Sequence, residues 1–280
     1  MKKNIQWLAR GCWLQGTLLV LVLVGSPASA FSPDNWKPGA GWTLAWADEF
    51  TGASVDTNRW AYDLGGGGFG NKELQVYTRT NATIRNGELV ITAVKDEAGH
   101  YTSSRLKTQG KASWKYGKVA ARIRLPYGQG IWPAFWMLGD SIRSVGWPKC
   151  GEIDIMELIG GGKGRDSQIH GTLHFAENGN HAQASSGAHK MPDGQPFYQD
   201  YHVFEVEWSS TLMVWKLDGV EYFRTSVDPE RFAGRKSFQE PFFIILNLAV
   251  GGNWPGYPDA TTVFPQSMYV DWMRVYRQAD

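Results

Sequence analysis

Three acids crowd one short stretch of the chain, Gly151-Glu152-Ile153-Asp154-Ile155-Met156-Glu157-Leu158. Set among β-branched and apolar neighbours, the stretch reads as a strand. On it Glu152 and Asp154 project to one face, and Ile153 and Ile155 to the other. Strict alternation would send Glu157 to the apolar face, where an unpaired carboxylate is costly. One inserted residue removes the conflict, so the spacing predicts a β-bulge around Ile155-Met156 that returns Glu157 to the face of the other two acids. Three carboxyls on one face repel one another and titrate as a set. At least one of them then keeps its proton to higher pH than a free carboxyl does. An ionised carboxylate beside a protonated one is what hydrolysis of a glycosidic bond needs, about 5–5.5 Å apart in enzymes that retain configuration. Glu152 and Glu157 lie roughly 13 Å apart along a straight strand, so a concave strand would help them converge. The spacing alone also fits an acidic sheet face exposed to water.

The neighbouring residues favour the chemical reading. In Gly130-Ile131-Trp132-Pro133-Ala134-Phe135-Trp136-Met137-Leu138, Trp132 and Trp136 share one face of a strand. Flat indoles beside carboxylates suit the faces of sugars, offering rigid area and one N–H donor each. Cys150, two residues before Glu152, sits next to three acids that raise a thiol pKa, and it reads as a small structural residue.

Strands must position these residues. Val119, Ala121, Ile123 and Leu125 alternate with polar or small partners at a period of two. Asn86-Gly87 and Asp218-Gly219 are tight-turn dipeptides. They predict hairpins joining Ala82–Arg85 to Glu88–Val94 and Leu212–Leu217 to Val220–Thr225. Further strands are predicted at Trp42–Asp48, Trp132–Leu138, Glu152–Glu157, Ile169–His174, His202–Trp208, Phe242–Val250 and Met268–Tyr276. Asn71–Tyr77 reads as a short extended segment, and Asp228–Phe232 as one helical turn. The glycine cluster Gly65–Gly70 is a loop that lacks the strand-to-helix setting of a phosphate site. Many short strands with polar turns make an all-β antiparallel sandwich or barrel, a scaffold shared by hydrolases, lectins and capsid-like modules.

Composition narrows the classes further. Residues 1–30 carry Lys2, Lys3 and Arg10, then a short apolar run, then Ala28-Ser29-Ala30, the pattern of a secretory signal peptide. The leader holds three of the 28 basic residues and none of the 27 acidic ones, leaving residues 31–280 with a net charge of −2. That is no footprint for nucleic acid or an anionic membrane, and the apolar runs are too short to span a bilayer. Of the two cysteines, Cys12 lies in the leader, so residues 31–280 have no internal disulfide and no cysteine-rich zinc site. No linker divides residues 31–280, which read as one domain.

From Trp42 to Tyr276 the sequence resembles glycoside hydrolase family 16, and within it the bacterial laminarinase subgroup. The resemblance is carried by Ala47-Asp48-Glu49-Phe50, Asn71–Thr78, Trp132–Leu138, Gly151–Glu157, Gly171-Thr172-Leu173-His174, Ile244–Gly256 and Tyr269–Tyr276. It implies a jelly-roll β-sandwich of two curved antiparallel sheets with an open concave substrate cleft. It implies a retaining endo-β-1,3-glucanase acting on laminarin-like β-glucans, with Glu152 as nucleophile, Glu157 as acid/base and Asp154 tuning both. The extra residue Met156 is similar to the bulged members, laminarinases, agarases and carrageenases, rather than to those with the shorter E-x-D-x-E. Mixed-linkage β-1,3-1,4-glucanase is the first alternative, an agarase- or carrageenase-type galactanase the next, and a non-catalytic glycan-binding module the last. By likeness, Asn71, Arg105, Trp132, Trp136, His174 and Trp254 contact the sugar, with Asn247 a weaker candidate. The resemblance implies no cofactor for the chemistry. It implies one structural calcium ion, held by Glu49, the Gly87 carbonyl and Asp271, hard oxygen donors that suit it. The implied protein is a secreted monomer, extracellular or periplasmic, that works on β-glucan polysaccharide without a nucleic-acid or membrane partner.

Overall fold

The computed structural model describes Met1 and residues 35–162 and 164–279. The predicted leader therefore lies, apart from Met1, outside the described residues. Among those described, eighteen strands form in chain order: β1 Trp42–Asp48, β2 Ala61–Asp63, β3 Gln75–Tyr77, β4 Ala82–Arg85, β5 Glu88–Lys95, β6 Tyr101–Ser103, β7 Arg105–Lys107, β8 Gly117–Arg124 and β9 Ile131–Gly139. They continue with β10 Glu152–Glu157, β11 Gln168–Glu177, β12 Asn180–Ser185, β13 His189–Lys190, β14 His202–Trp208, β15 Leu212–Leu217, β16 Val220–Ser226, β17 Phe242–Val250 and β18 Gln266–Gln278. One sheet runs β16-β15-β14-β8-β18-β5-β6-β3, with β1 and β4 attached to β18 and β5. The other runs β12-β11-β10-β9-β17-β7-β2, with β13 on β11. The pairing is antiparallel except between β3 and β6, and the two sheets pack as the expected jelly-roll sandwich.

Period-two alternation explains the core. Ile123, Ile91 and Met273 from the larger sheet meet Phe135, Ile153, Ile244 and Leu246 from the smaller one, all at 0% exposure. The central strand β17 is buried on both faces: its even-numbered residues enter this core, while Phe243 and Ile245 join Leu138 and Cys150 in a cluster on the opposite face. The two predicted hairpins form. Asn86 and Gly87 take φ of 55° and 80°, and Asp218 and Gly219 take 52° and 76°, the paired left-handed conformations that a two-residue hairpin turn requires.

One local expectation changes. In Asn71–Tyr77 only Gln75–Tyr77 is a strand, because Gly68–Gly70 make a 3-10 turn that ends at Asn71. Asp228–Phe232 closes as the expected single turn through the Phe232 N–H on the Asp228 carbonyl, 3.0 Å, and a 3-10 segment follows it at Ala233–Gln239. A one-turn helix at Ile142–Val145 has no periodic signal to betray it. Among the described residues no helix is long and apolar enough to cross a membrane.

Candidate active site

The bulge is present on β10. Asp154 pairs with Trp136 of β9 and Met156 with Phe135, so on this side Ile155, and not Met156 as the motif suggests, is the extra residue. On the other side, Asp154 pairs with Thr172 and Glu157 with His170. Ile155 and Met156 are both buried, at 1% and 0% exposure, and all three acids leave by the opposite face. A bulge interrupts the ladder and strips carbonyls of partners. Here they are recovered from the other sheet: Trp215 Nε1 donates to the Asp154 carbonyl (2.8 Å) and the Tyr222 hydroxyl to the Ile155 carbonyl (3.3 Å). Gly171 leaves the space for both, since a Cβ there would lie 2.7 Å from Trp215 and 2.8 Å from the Tyr222 oxygen. Neither Trp215 nor Tyr222 was singled out by the sequence, where they look like ordinary core aromatics.

Register across the smaller sheet builds the site in rows. Phe243, Leu138, Glu152 and His174 lie abreast. So do Ile245, Trp136, Asp154 and Thr172, and then Asn247, Ala134, Glu157 and His170. His174 Nε2 lies 3.1 Å from Asp154 Oδ2 and 3.8 Å from Glu152 Oε1. The Asp154 oxygen is buried and has no hydrogen bond in this arrangement. On its other side, His174 Nδ1 is 2.8 Å from Nε2 of His181. Trp147 closes the group, its ring 4.7 Å from His181 and 6.1 Å from His174. His181 and Trp147 are additions that the sequence pattern does not reveal, because they arrive from β12 and from the loop before β10.

Burial raises all three carboxyl pKa values. Glu152 is pushed up to about 8 by burial and then by the Asp154 charge, against His174, Arg105 and the Trp147 indole. Burial pushes Asp154 to about 8 as well. Glu157 is held well above the usual range by burial and by the charges of Asp154 and Glu152, with relief from His174 and the Trp132 indole, whose Nε1 donates to Glu157 Oε1 at 3.0 Å. The two glutamates thus differ in company. Glu152 faces His174, Arg105 and one acid, whereas Glu157 faces two acids and His174.

The predicted sugar contacts gather around these acids. Trp254 packs edge-on to Trp132 at 5.6 Å and against His170 at 4.8 Å, and 41% of Trp254 is exposed. Trp136 lies under the Arg105 guanidinium (4.7 Å) and donates to Asn247 Oδ1 (2.7 Å). Asn247 donates in turn to the Tyr77 hydroxyl at 3.3 Å, so this amide is a buried brace for Trp136. Arg105 is fixed by Asp63 at 3.0 Å. Asn71 is exposed and bonds Glu73, while its carbonyl takes the Asn253 N–H at 2.8 Å beside the Trp254 loop. Cys150 is fully buried and its thiol is pushed up to about 11, by burial first and Glu152 second.

Glu152, Asp154 and His174 are also the one group among the described residues whose His, Cys or carboxylate ligand atoms converge, within 4.8 Å, as a metal site would need. The residues expected to hold calcium lie elsewhere. Glu49 forms a two-pronged pair with Arg274, 2.7 Å at each oxygen, and Asp271 pairs with Arg122 at 2.8 Å. Two carboxylates and a turn carbonyl are hard oxygen donors of the kind calcium takes. An ion there would have to take Glu49 from Arg274 and Asp271 from Arg122, both partly exposed pairs.

Comparison with known proteins agrees with this geometry. Residues 69–274 match the family model of glycosyl hydrolases family 16. A beta-glucanase of Rhodothermus marinus is 41% identical over 276 residues, which cover 92% of this chain and 93% of that protein. The clotting factor G alpha subunit of Tachypleus tridentatus is 41% identical over 244 residues, 85% of this chain but 34% of that protein, so the chain spans about a third of that relative's length. The laminarinase catalytic domain of Thermotoga maritima MSB8 shares the fold with a TM-score of 0.76 and 44% identity over 85% of this chain and 99% of that one. The bulged acidic strand on a jelly roll and the match across most of the chain lead to one assignment: the chain belongs to glycosyl hydrolase family 16.

Proposed function

We propose that the protein is a secreted, monomeric, retaining endo-1,3-β-glucanase that hydrolyses laminarin-like β-glucans by double displacement. Glu152 attacks the anomeric carbon while Glu157 gives its proton to the departing glycosidic oxygen. The covalent glycosyl–Glu152 ester is then cleaved by water, whose proton Glu157 takes back. The observation that carries the assignment of roles is the unequal company of the two glutamates. His174 and Arg105 favour an ionised Glu152, and two neighbouring acids favour a protonated Glu157. Asp154, with His174 on one oxygen, tunes the charge between them. The indoles of Trp132, Trp136 and Trp254 supply faces for the sugar rings, and Asn71 and Arg105 supply polar contacts at the edges. The laminarinase and beta-glucanase relatives support β-glucan as substrate class. The chemistry uses no cofactor, and calcium at Glu49, Gly87 and Asp271 has a structural role alone.

The test is a product profile with the anomeric configuration followed by NMR. Laminarin should give a spread of short β-1,3-oligosaccharides whose new reducing ends are first released in the β form. Release in the α form overturns retention. A single small product overturns endo action. Cleavage of mixed-linkage glucan in preference to laminarin moves the assignment to the β-1,3-1,4 class.

A further inference from the structure

A second groove, of 770 Å3, lies on the outer face of the larger sheet, across the sandwich from the carboxyls. Its floor follows from register. Thr83 of β4, Val90 of β5, Tyr269 of β18 and Arg124 of β8 lie abreast in one row. In a second row Thr92 pairs with Ser267, their hydroxyls 3.0 Å apart. These side chains alternate with Ile91, Met268 and Val270 of the core, so they point outward. Tyr127 and Tyr198 form one wall, their rings 4.5 Å apart and 39% and 38% exposed. The guanidinium of Arg124 lies 4.3 Å over the Tyr269 ring.

Two features point to a ligand. The groove is 770 Å3 and open, with two exposed tyrosine rings on its wall. The lining also combines these rings with hydroxyl donors and the cationic donors Arg85, Lys95 and Arg124, and contains no Asp or Glu. Rings for the C–H faces of a sugar and donors for its hydroxyls are carbohydrate-binding chemistry. Without a carboxylate the groove binds but does not cut. Arg124 is stacked over a ring, and Arg85 and Lys95 stand on the same lining as donors for sugar hydroxyls. We infer that this groove is a second, non-catalytic binding site for a β-glucan chain. Its choice of ligand rests on the substrate class proposed above. A polymer held there stays near the cleft, and its effective concentration at the catalytic face rises.

The test uses the full protein. Calorimetric titration of Glu152→Gln with a β-1,3-gluco-oligosaccharide should show two sites per chain. A Tyr127→Ala/Tyr198→Ala double variant should lose about tenfold in retention on insoluble β-1,3-glucan, with kcat/KM on a short soluble oligosaccharide unchanged. Val94→Arg, an outward substitution on the groove lining, should do the same if the double variant misfolds. One site per chain, unchanged retention in both variants, or retention on a sulfated or carboxylated polysaccharide alone overturns the inference. Wild-type protein that cleaves no β-1,3-glucan refutes the proposed activity instead, so the two failures are told apart.

Discussion

Replacing Glu152 with glutamine should stabilise the fold while abolishing turnover, and the gain should grow with pH. Burial and Asp154 raise the carboxyl from 4.5 up to about 8. Between those values the native state holds a proton that the unfolded chain has released, so stability falls as pH rises. Each pH unit in that window costs about 1.4 kcal/mol. At pH 7 the full cost is about 3 kcal/mol, an upper bound. The Glu152 side chain is 17% exposed and part of its shift comes from the Asp154 charge, so about half of this, about 1–2 kcal/mol, is the working figure. Glutamine keeps the shape and stays neutral in both states. For a domain of this size the gain corresponds to a Tm increase of about 5 °C at pH 7 and to about 1 °C or less at pH 5. Differential scanning calorimetry of wild type and Glu152→Gln at the two pH values measures both. A Tm gain equal at pH 5 and pH 7, or a loss at pH 7, would refute the claim that this carboxyl is held against its charge.

Trp215→Phe removes the N–H on the Asp154 carbonyl; it should lower stability by about 1–3 kcal/mol and reduce kcat more than it changes KM, read by denaturant melts and steady-state kinetics. Trp132→Phe removes the donor that favours the ionised form of Glu157; the alkaline limb of the pH–rate profile should move to higher pH while kcat falls. Calcium in hundredfold excess over its Kd contributes about 2.7 kcal/mol, so chelation should lower Tm by about 5 °C or more; an unchanged Tm would mean that Arg274 and Arg122 keep the two carboxylates. Cys150 should resist thiol reagents at pH 8 in the folded protein and react on unfolding, because its thiol is buried and pushed up to about 11.

The parts of this fold that could be read in advance are those governed by local periodicity. β10, β14, β15 and β17 have the bounds that alternation and turn dipeptides indicate, and the bulge follows from the cost of turning Glu157 into the core. What escaped is set by tertiary contact. Asn247 looked like a candidate for touching sugar, yet it is 6% exposed and serves as a brace for Trp136. Trp147 and His181 complete the surroundings of Glu152, but one comes from an irregular loop and the other from a strand exposed along most of its length. Their role depends on how β12 lies beside β11, which no short-range pattern encodes. The same holds for the outer groove, whose residues are scattered from Thr80 to Tyr269 and come from strands and loops far apart in the sequence.

The bulge shows why both sheets are needed for a site that sits on one. An inserted residue places three acids on one face, and the cost is a broken ladder and crowded carboxyls. The broken ladder is repaired from across the core, by Trp215 on β15 and Tyr222 on β16, in the space left by Gly171. The acids' surroundings are then set by their own sheet, with His174 beside Glu152 and Asp154, and Trp132 on Glu157. A change in the core that shifts Trp215 therefore acts on the carboxyls without touching them. Gly171→Ala tests this coupling most sharply. Its Cβ would stand 2.7 Å from the indole and 2.8 Å from the Tyr222 oxygen, pushing away both donors at once. Activity should fall further than with Trp215→Phe, although Gly171 lies on β11 and carries no side chain to contribute to the chemistry. Equal activity in Gly171→Ala and wild type would mean that the bulge holds its shape without the larger sheet.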